Sequence, residues 1–128
     1  MFTIKKQFRF EAAHKLPHHD GKCARLHGHS WVMEVEVRGA TLQKTGPKQG
    51  MLADFGDLKR VVQPVVDGWL DHFYLNETLG LENPTSEEVA YWVFNKIEPA
   101  IPGLVAVHIH ETCTSACCYK PDNHESKT

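Results

Sequence analysis

Apolar residues in the first part of the chain recur at every second position. Phe2, Ile4, Phe8, Phe10 and Ala12 alternate with mostly polar neighbours, and Lys6 interrupts the series. This period of two predicts a strand from Phe2 to His14, with His14 in step with the apolar face. A second strand is expected from His27 to about Arg38. Trp31, Met33, Val35 and Val37 take one face of it, together with His27 and His29, while Glu34, Glu36 and Arg38 take the other. A loop rich in His, Gly and charge, Pro17 to Arg25, separates the two strands.

The period then changes. After a Gly- and Pro-containing loop, Gly39 to Gly50, Asp54 reads as a helix N-cap. Behind it Leu58, Val61, Val62, Val65 and Trp69 follow helical spacing, with Pro64 expected to kink or shorten the helix. Pro84-Thr85-Ser86-Glu87-Glu88 holds a capping box, Thr85 to Glu88, ahead of a helix built on Val89, Val93 and Ile97 and ending near Pro99. Tyr91, Trp92 and Phe94 broaden its apolar face. A strand from Leu104 to about Cys113 places Val105, Val107, Ile109 and Glu111 on one side, and a short last strand covers Cys117 to Lys120. The order ββααββ predicts an α+β fold, a four-stranded antiparallel sheet with two helices on one face. Its open edges make self-association a natural outcome. Residues 1–121 read as one domain and 122–128 as a polar tail.

Composition narrows the function. The 128 residues carry 14 Lys plus Arg against 16 Asp plus Glu, so no basic excess marks a nucleic-acid binder. No apolar run reaches the length of a membrane span, and the start of the chain lacks a signal-peptide core, so a cytoplasmic protein is expected. Nine histidines and four cysteines (Cys23, Cys113, Cys117 and Cys118) raise metal or thiol chemistry, the cysteines being expected as thiols.

Three histidines carry that chemistry. His27 and His29, with Gly28 between them leaving room, share a strand face, and a hairpin brings His14 from the end of the first strand beside them. Three neutral imidazoles suit Zn²⁺ with one position open, although iron and copper accept the same donors. The alternative is a set of hydrogen-bonded imidazoles at strand ends. Cys23 lies four residues before His27, between Lys22 and Arg25, where positive charge favours a thiolate that could act as base or nucleophile. Asp71-His72 is expected to end the first helix, as an acid/base pair or as simple complement to the helix dipole. Glu111 on the core side of a strand needs a partner, and a ligand edge offering two N–H groups, such as an aminopyrimidinone, would supply it. A solvated strand end is the alternative. His18, His19, His108, His110 and His124 are expected to be solvated.

Taken together, Phe10-Glu11-Ala12-Ala13-His14, Cys23-Ala24-Arg25-Leu26-His27-Gly28-His29, Asp71-His72, Pro84-Thr85-Ser86-Glu87 and Glu111-Thr112 resemble the 6-pyruvoyl-tetrahydropterin synthase superfamily. The resemblance covers about residues 2 to 120. The three-residue gap between Cys23 and His27 more closely resembles its bacterial branch, the 6-carboxy-5,6,7,8-tetrahydropterin synthases of queuosine biosynthesis. It implies the tunnelling fold, with three subunits joining sheets into a barrel and two barrels stacking as a homohexamer whose sites lie between chains. It implies Zn²⁺ on His14, His27 and His29, and 7,8-dihydroneopterin triphosphate as substrate. Glu111, helped by Thr85 and Ser86, would anchor the pterin ring. Cys23 would be the base, and His72, oriented by Asp71, the partner acid/base. Acetaldehyde and triphosphate would leave. Two other readings stay open: 6-pyruvoyl-tetrahydropterin formation on the same substrate, and a non-catalytic zinc- or purine-binding module.

Overall fold

The computed structural model describes residues 1–122, so all of the expected tail but Asp122, including His124, lies outside the described residues. β1 (Phe2–His14) and β2 (His27–Gly39) pair along their whole length, from Phe2 opposite Gly39 to His14 opposite His27. The alternation of the sequence becomes alternation of burial: Phe8, Phe10, Ala12 and His14 are buried in β1, and Trp31, Met33, Val35 and Val37 in β2. Lys6 does not break the register. It stays opposite Val35 and lays its Nζ 5.7 Å from the centroid of the Phe8 ring.

α1 (Phe55–Val65) starts on Asp54, whose side chain accepts from the Gly56 N–H at 2.8 Å. Pro64 ends the regular helix within one residue, as its missing N–H and ring demand. Val66–Leu70 then forms one π turn. That turn changes the buried stripe. Leu58, Val62, Val66 and Leu70 enter the core, and Trp69, expected inside, is 38% exposed.

The sheet differs from the expected four antiparallel strands. β3 (Phe73–Tyr74), only two residues long, pairs parallel to β1 at Ala12 and Ala13, so the sheet is five-stranded and mixed, in the order β3-β1-β2-β4-β5. Two residues are too few to show a period, which is why the sequence hid the strand. α2 (Leu75–Thr78) follows directly, and α3 (Ser86–Ile97) begins at Thr85, whose hydroxyl accepts from the Glu88 N–H at 3.1 Å. The reciprocal half of the capping box does not form, because the Thr85 N–H donates to the Asn83 carbonyl instead. Tyr91, expected to broaden the buried face of α3, is exposed.

β4 (Leu104–Thr112) joins β2 and carries β5 (Ser115–Tyr119) on its far side. A register shift between Glu36 and Val37 puts Val37 opposite Leu104, so Leu104, Val107 and Ile109 line the core and Val105 is only half-buried. At the turn into β4, Gly103 has φ +82 and a Cβ there would sit 2.8 Å from the Arg38 carbonyl oxygen, so glycine is required. The inner faces of the strands, α1, the π turn and α3 form one continuous core. The other face is polar. There Glu36 is only 5% exposed and holds His108 Nε2 at 2.9 Å and Arg38 at 3.0 Å, so His108 is paired rather than solvated. His18 is exposed, as expected, and pairs at the surface with Glu82. The four cysteines are unpaired thiols.

Candidate active site

The hairpin register determines how the three histidines meet. His14 lies directly opposite His27, and His29 lies opposite Ala12, so all three imidazoles leave the same face at one end of the sheet. Their ring centroids are 4.5 to 5.2 Å apart, and one ligating atom from each lies within 4.8 Å of the others. Trp31, the next inward residue, floors the cluster. Its ring meets His14 edge-on at 5.0 Å and His29 at 5.5 Å, and its Nε1–H donates to the Ala12 carbonyl. Gly28 does not make the room expected of it: it points to the opposite face, where a Cβ would meet only the Ala12 carbonyl oxygen at an ordinary 3.5 Å.

Backbone carbonyls set the tautomers. His14 Nδ1 lies 2.8 Å from the Pro84 oxygen and His27 Nδ1 lies 2.6 Å from the Arg25 oxygen. A carbonyl can only accept, so each Nδ1 carries a proton, and in the neutral ring Nε2 is then the atom with the lone pair. Burial holds the His14 imidazole below its ordinary pKa, against the opposing pull of the Pro84 carbonyl and Glu111. Burial also lowers His29, again against Glu111. All three Nε2 atoms are buried without a hydrogen-bond partner. Buried polar atoms are rarely left so. Three imidazoles with converging, unpartnered Nε2 atoms can hold a metal ion when neutral.

Glu111, at the end of β4, borders this cluster. Its Oε2 accepts from the Ser86 hydroxyl at 2.9 Å, and its Oε1 lies 3.3 Å from His29 Nε2 without hydrogen-bond alignment. It is neither in a dry core nor free in solvent. Thr85 contributes its hydroxyl to the cap of α3, so Ser86 is the side chain of the pair that reaches Glu111.

Cys23 sits half-buried in the short turn Lys22–Ala24. The Leu16 N–H donates to its carbonyl at 2.9 Å, folding the loop back beside the end of β1. Asp71 and His72 do not end an α-helix as expected. They follow the π turn, and His72 has φ +65. Asp71 Oδ1 accepts from the Glu11 N–H at 2.9 Å, its Oδ2 lies 3.0 Å from His72 Nδ1, and the His72 N–H donates back to the Glu11 carbonyl. The Glu11 N–H, then His72, hold the Asp71 carboxyl below the usual carboxylate range. The His72 side chain is 78% exposed. An open cleft of about 520 Å³ at this end of the sheet is bordered by both His29 and His72, along with Glu11, Ser30 and Tyr74.

The fold therefore brings His14, His27, His29, Ser86 and Glu111 together. Among the described residues no hydrogen bond or ion pair joins Cys23 to Asp71 or His72. Sequence reasoning passed over the carbonyls of Arg25 and Pro84, which select the tautomers, because a carbonyl has no side-chain signal.

The family profile described as 6-pyruvoyl tetrahydropterin synthase matches residues 3–122. A 6-carboxy-5,6,7,8-tetrahydropterin synthase from Synechocystis sp. is 55% identical over 120 residues, 93% of each chain. A dihydroneopterin monophosphate aldolase from Pyrococcus furiosus is 38% identical over 96 residues, 75% of each chain. Among solved structures, the Caenorhabditis elegans 6-pyruvoyl tetrahydropterin synthase superposes with a TM-score of 0.80 at 30% identity, covering 94% of this chain and 96% of that one. On the strength of a match that runs almost end to end, over a fold that is also shared, this chain belongs to the 6-pyruvoyl tetrahydropterin synthase family.

Proposed function

We propose that this protein is a zinc-dependent carbon–carbon lyase. It converts 7,8-dihydroneopterin triphosphate and water to 6-carboxy-5,6,7,8-tetrahydropterin, acetaldehyde and triphosphate, in queuosine biosynthesis. The single observation that carries the choice of reaction is the 55% identity to a 6-carboxy-5,6,7,8-tetrahydropterin synthase across 93% of both chains. In this reading the protein works in the cytoplasm as a homohexamer, a dimer of trimers. That assembly would supply the meeting of Cys23 with Asp71 and His72 that a single chain lacks.

His14, His27 and His29 are the proposed zinc ligands, and their three unpartnered Nε2 atoms fit that role. When bound, zinc with an open position acidifies side-chain hydroxyls as a Lewis acid. The remaining steps belong to the chain's own groups. Glu111 anchors the pterin ring by accepting two N–H bonds. Its Oε1 lies beside an imidazole nitrogen that the metal would claim, which leaves the carboxylate available for a ligand, while Ser86 orients Oε2. Thr85 supports the same helix start. Cys23 removes a proton at the substrate side chain, and His72, its ring fixed by Asp71, returns one. Proton transfer of this kind is worth about 10²- to 10⁴-fold in rate.

A second reading is 6-pyruvoyl-tetrahydropterin formation, favoured by the close superposition on the nematode enzyme. The difference is whether the side chain is cut or only rearranged. Anaerobic incubation of the zinc-loaded protein with 7,8-dihydroneopterin triphosphate, read by mass spectrometry, separates the two. A 6-carboxy product with matching acetaldehyde supports the lyase. A 6-pyruvoyl product without acetaldehyde overturns it in favour of the sister reaction. Zinc and pterin binding without any product would leave a binding module.

A further inference from the structure

Asn76, in the short helix α2, makes three hydrogen bonds to two separate backbone segments. Its Oδ1 accepts from the Lys15 N–H at 3.0 Å, and its Nδ2 donates to the Lys15 carbonyl at 2.8 Å and to the Glu82 carbonyl at 3.1 Å. Lys15 is the residue after His14. Glu82 is two residues before Pro84, whose carbonyl accepts the His14 Nδ1 proton. The amide therefore grips both the strand that carries the imidazole and the segment that orients it.

We infer that Asn76 is a positioning residue that holds His14 in its metal-ligating tautomer and orientation. The inference rests on the zinc reading above and adds to it a residue that touches neither metal nor substrate. The geometry follows from the fold. β3 pairs with β1 at Ala12 and Ala13 and then turns into α2. The ladder would stop before Lys15. The Asn76 side chain presents one acceptor and one donor to the Lys15 backbone, as a neighbouring strand would, and so adds a rung past His14. Its second N–H reaches across to Glu82.

Only an amide of this length satisfies all three groups. The two carbonyls require donors and the Lys15 N–H requires an acceptor, which also fixes which end of the amide is oxygen. Asp at this position has almost the same shape but turns acceptor oxygens toward both carbonyls. Loss of the direct partner of a metal-bound imidazole, here the Pro84 carbonyl, typically changes metal affinity by about 10- to 100-fold, and Asn76 acts one step behind that partner.

The test compares Asn76→Asp with Thr78→Ala. Thr78 lies in the same helix and its hydroxyl donates to the Trp69 carbonyl at 2.8 Å, so its loss loosens α2 without touching Lys15 or Glu82. Two readouts are taken. Cobalt(II) affinity and visible spectrum, measured by competition against a chromophoric chelator, report the ligand geometry. The ¹H–¹⁵N signal of the His14 Nδ1–H in metal-free protein reports the tautomer independently of any metal. Asn76→Asp should bind cobalt about tenfold or more weakly, shift its visible bands and lose the Nδ1–H signal, while Thr78→Ala matches the parent in all three. Asn76→Ala, which removes the same bonds without adding charge, replaces the Asp variant if that does not fold.

Cobalt affinity within twofold of the parent, with an unchanged spectrum and Nδ1–H signal in both Asn76 variants, overturns the clamp. Equal changes in Thr78→Ala overturn it as well, since they make the effect one of helix stability. A parent protein that shows the Nδ1–H signal yet takes up no cobalt overturns the zinc reading, and with it the ligating role of the clamp.

Discussion

Glu111 and His29 meet at the end of the sheet with Oε1 3.3 Å from Nε2. One carboxylate thus stands between the three-imidazole cluster and the start of α3, where the Ser86 hydroxyl fixes its other oxygen. In the proposed function these are two separate roles, and point mutations can tell them apart. Glu111→Gln keeps the shape but replaces one acceptor oxygen with a donor, against a ring edge that offers N–H groups. Pterin affinity, followed by fluorescence titration, should fall about tenfold or more, in line with the loss of a charge-assisted hydrogen bond. Zinc content by elemental analysis should stay at the parent level. Unchanged pterin affinity would remove Glu111 from the binding site.

The metal and the proton transfers should likewise come apart. His27→Ala removes a proposed ligand and should lose both zinc and turnover. Cys23→Ala should keep zinc and lower kcat about 10²- to 10⁴-fold, the range of general acid–base catalysis. Zinc retained at full occupancy in a variant with His14, His27 and His29 all changed to Ala would refute the ligand assignment.

His72 has φ +65, a conformation that favours glycine. His72→Gly should therefore be more stable than His72→Ala, by about 1 kcal/mol, because only the second forces a Cβ into the left-handed region. Both should lose turnover. Equal urea midpoints for the two variants would contradict this backbone argument.

Glu36 gives the fold an acid-sensitive contact. Burial alone would raise its carboxyl, but hydrogen bonds from His108 and Arg38 outweigh burial and leave it below its ordinary value. A carboxyl depressed in the folded state adds stability above its unfolded pKa of about 4.3, and that stability is lost as pH falls through the depressed value. At pH 7, Glu36→Gln should unfold more easily by about 1.5–3 kcal/mol, the worth of a hydrogen bond to a charged group. The gap should close as the buffer is taken below pH 4. A gap that stays constant from pH 7 to pH 3 would show that Glu36 acts through packing alone.

Much of this arrangement was legible in the order of residues. Alternation placed His14, His27 and His29 on one face because strand side chains alternate strictly, and the Phe2–Gly39 to His14–His27 register preserved that face through the whole hairpin. The Thr85 and Asp54 caps announced their helices by residue type. What escaped notice lies in groups without a periodic signal. β3 has two residues, and the carbonyls of Arg25 and Pro84 belong to no side chain. The inward turn of Leu70 in place of Trp69 depends on a π turn that helical spacing does not encode. The proposed meeting of Cys23 with Asp71 and His72 is not legible in one chain at all, since no contact among the described residues joins them.

The π turn at Val66–Leu70 has a consequence for how this chain tolerates changes in length. Such a turn accommodates one residue more than the α-helical path it replaces. Deleting one of its residues, Gly68 for example, which lies in open space, would let an α-helical path run on. Everything downstream would rotate by about 100° and move by about 1.5 Å along the helix. Asp71 would then lose its hold on the Glu11 N–H, and the His72 ring would leave the cleft it shares with His29. The proposed acid–base pair is thus placed by an insertion that touches no chemistry, and single-residue gaps in this segment among related chains should separate active members from inactive ones more sharply than most substitutions.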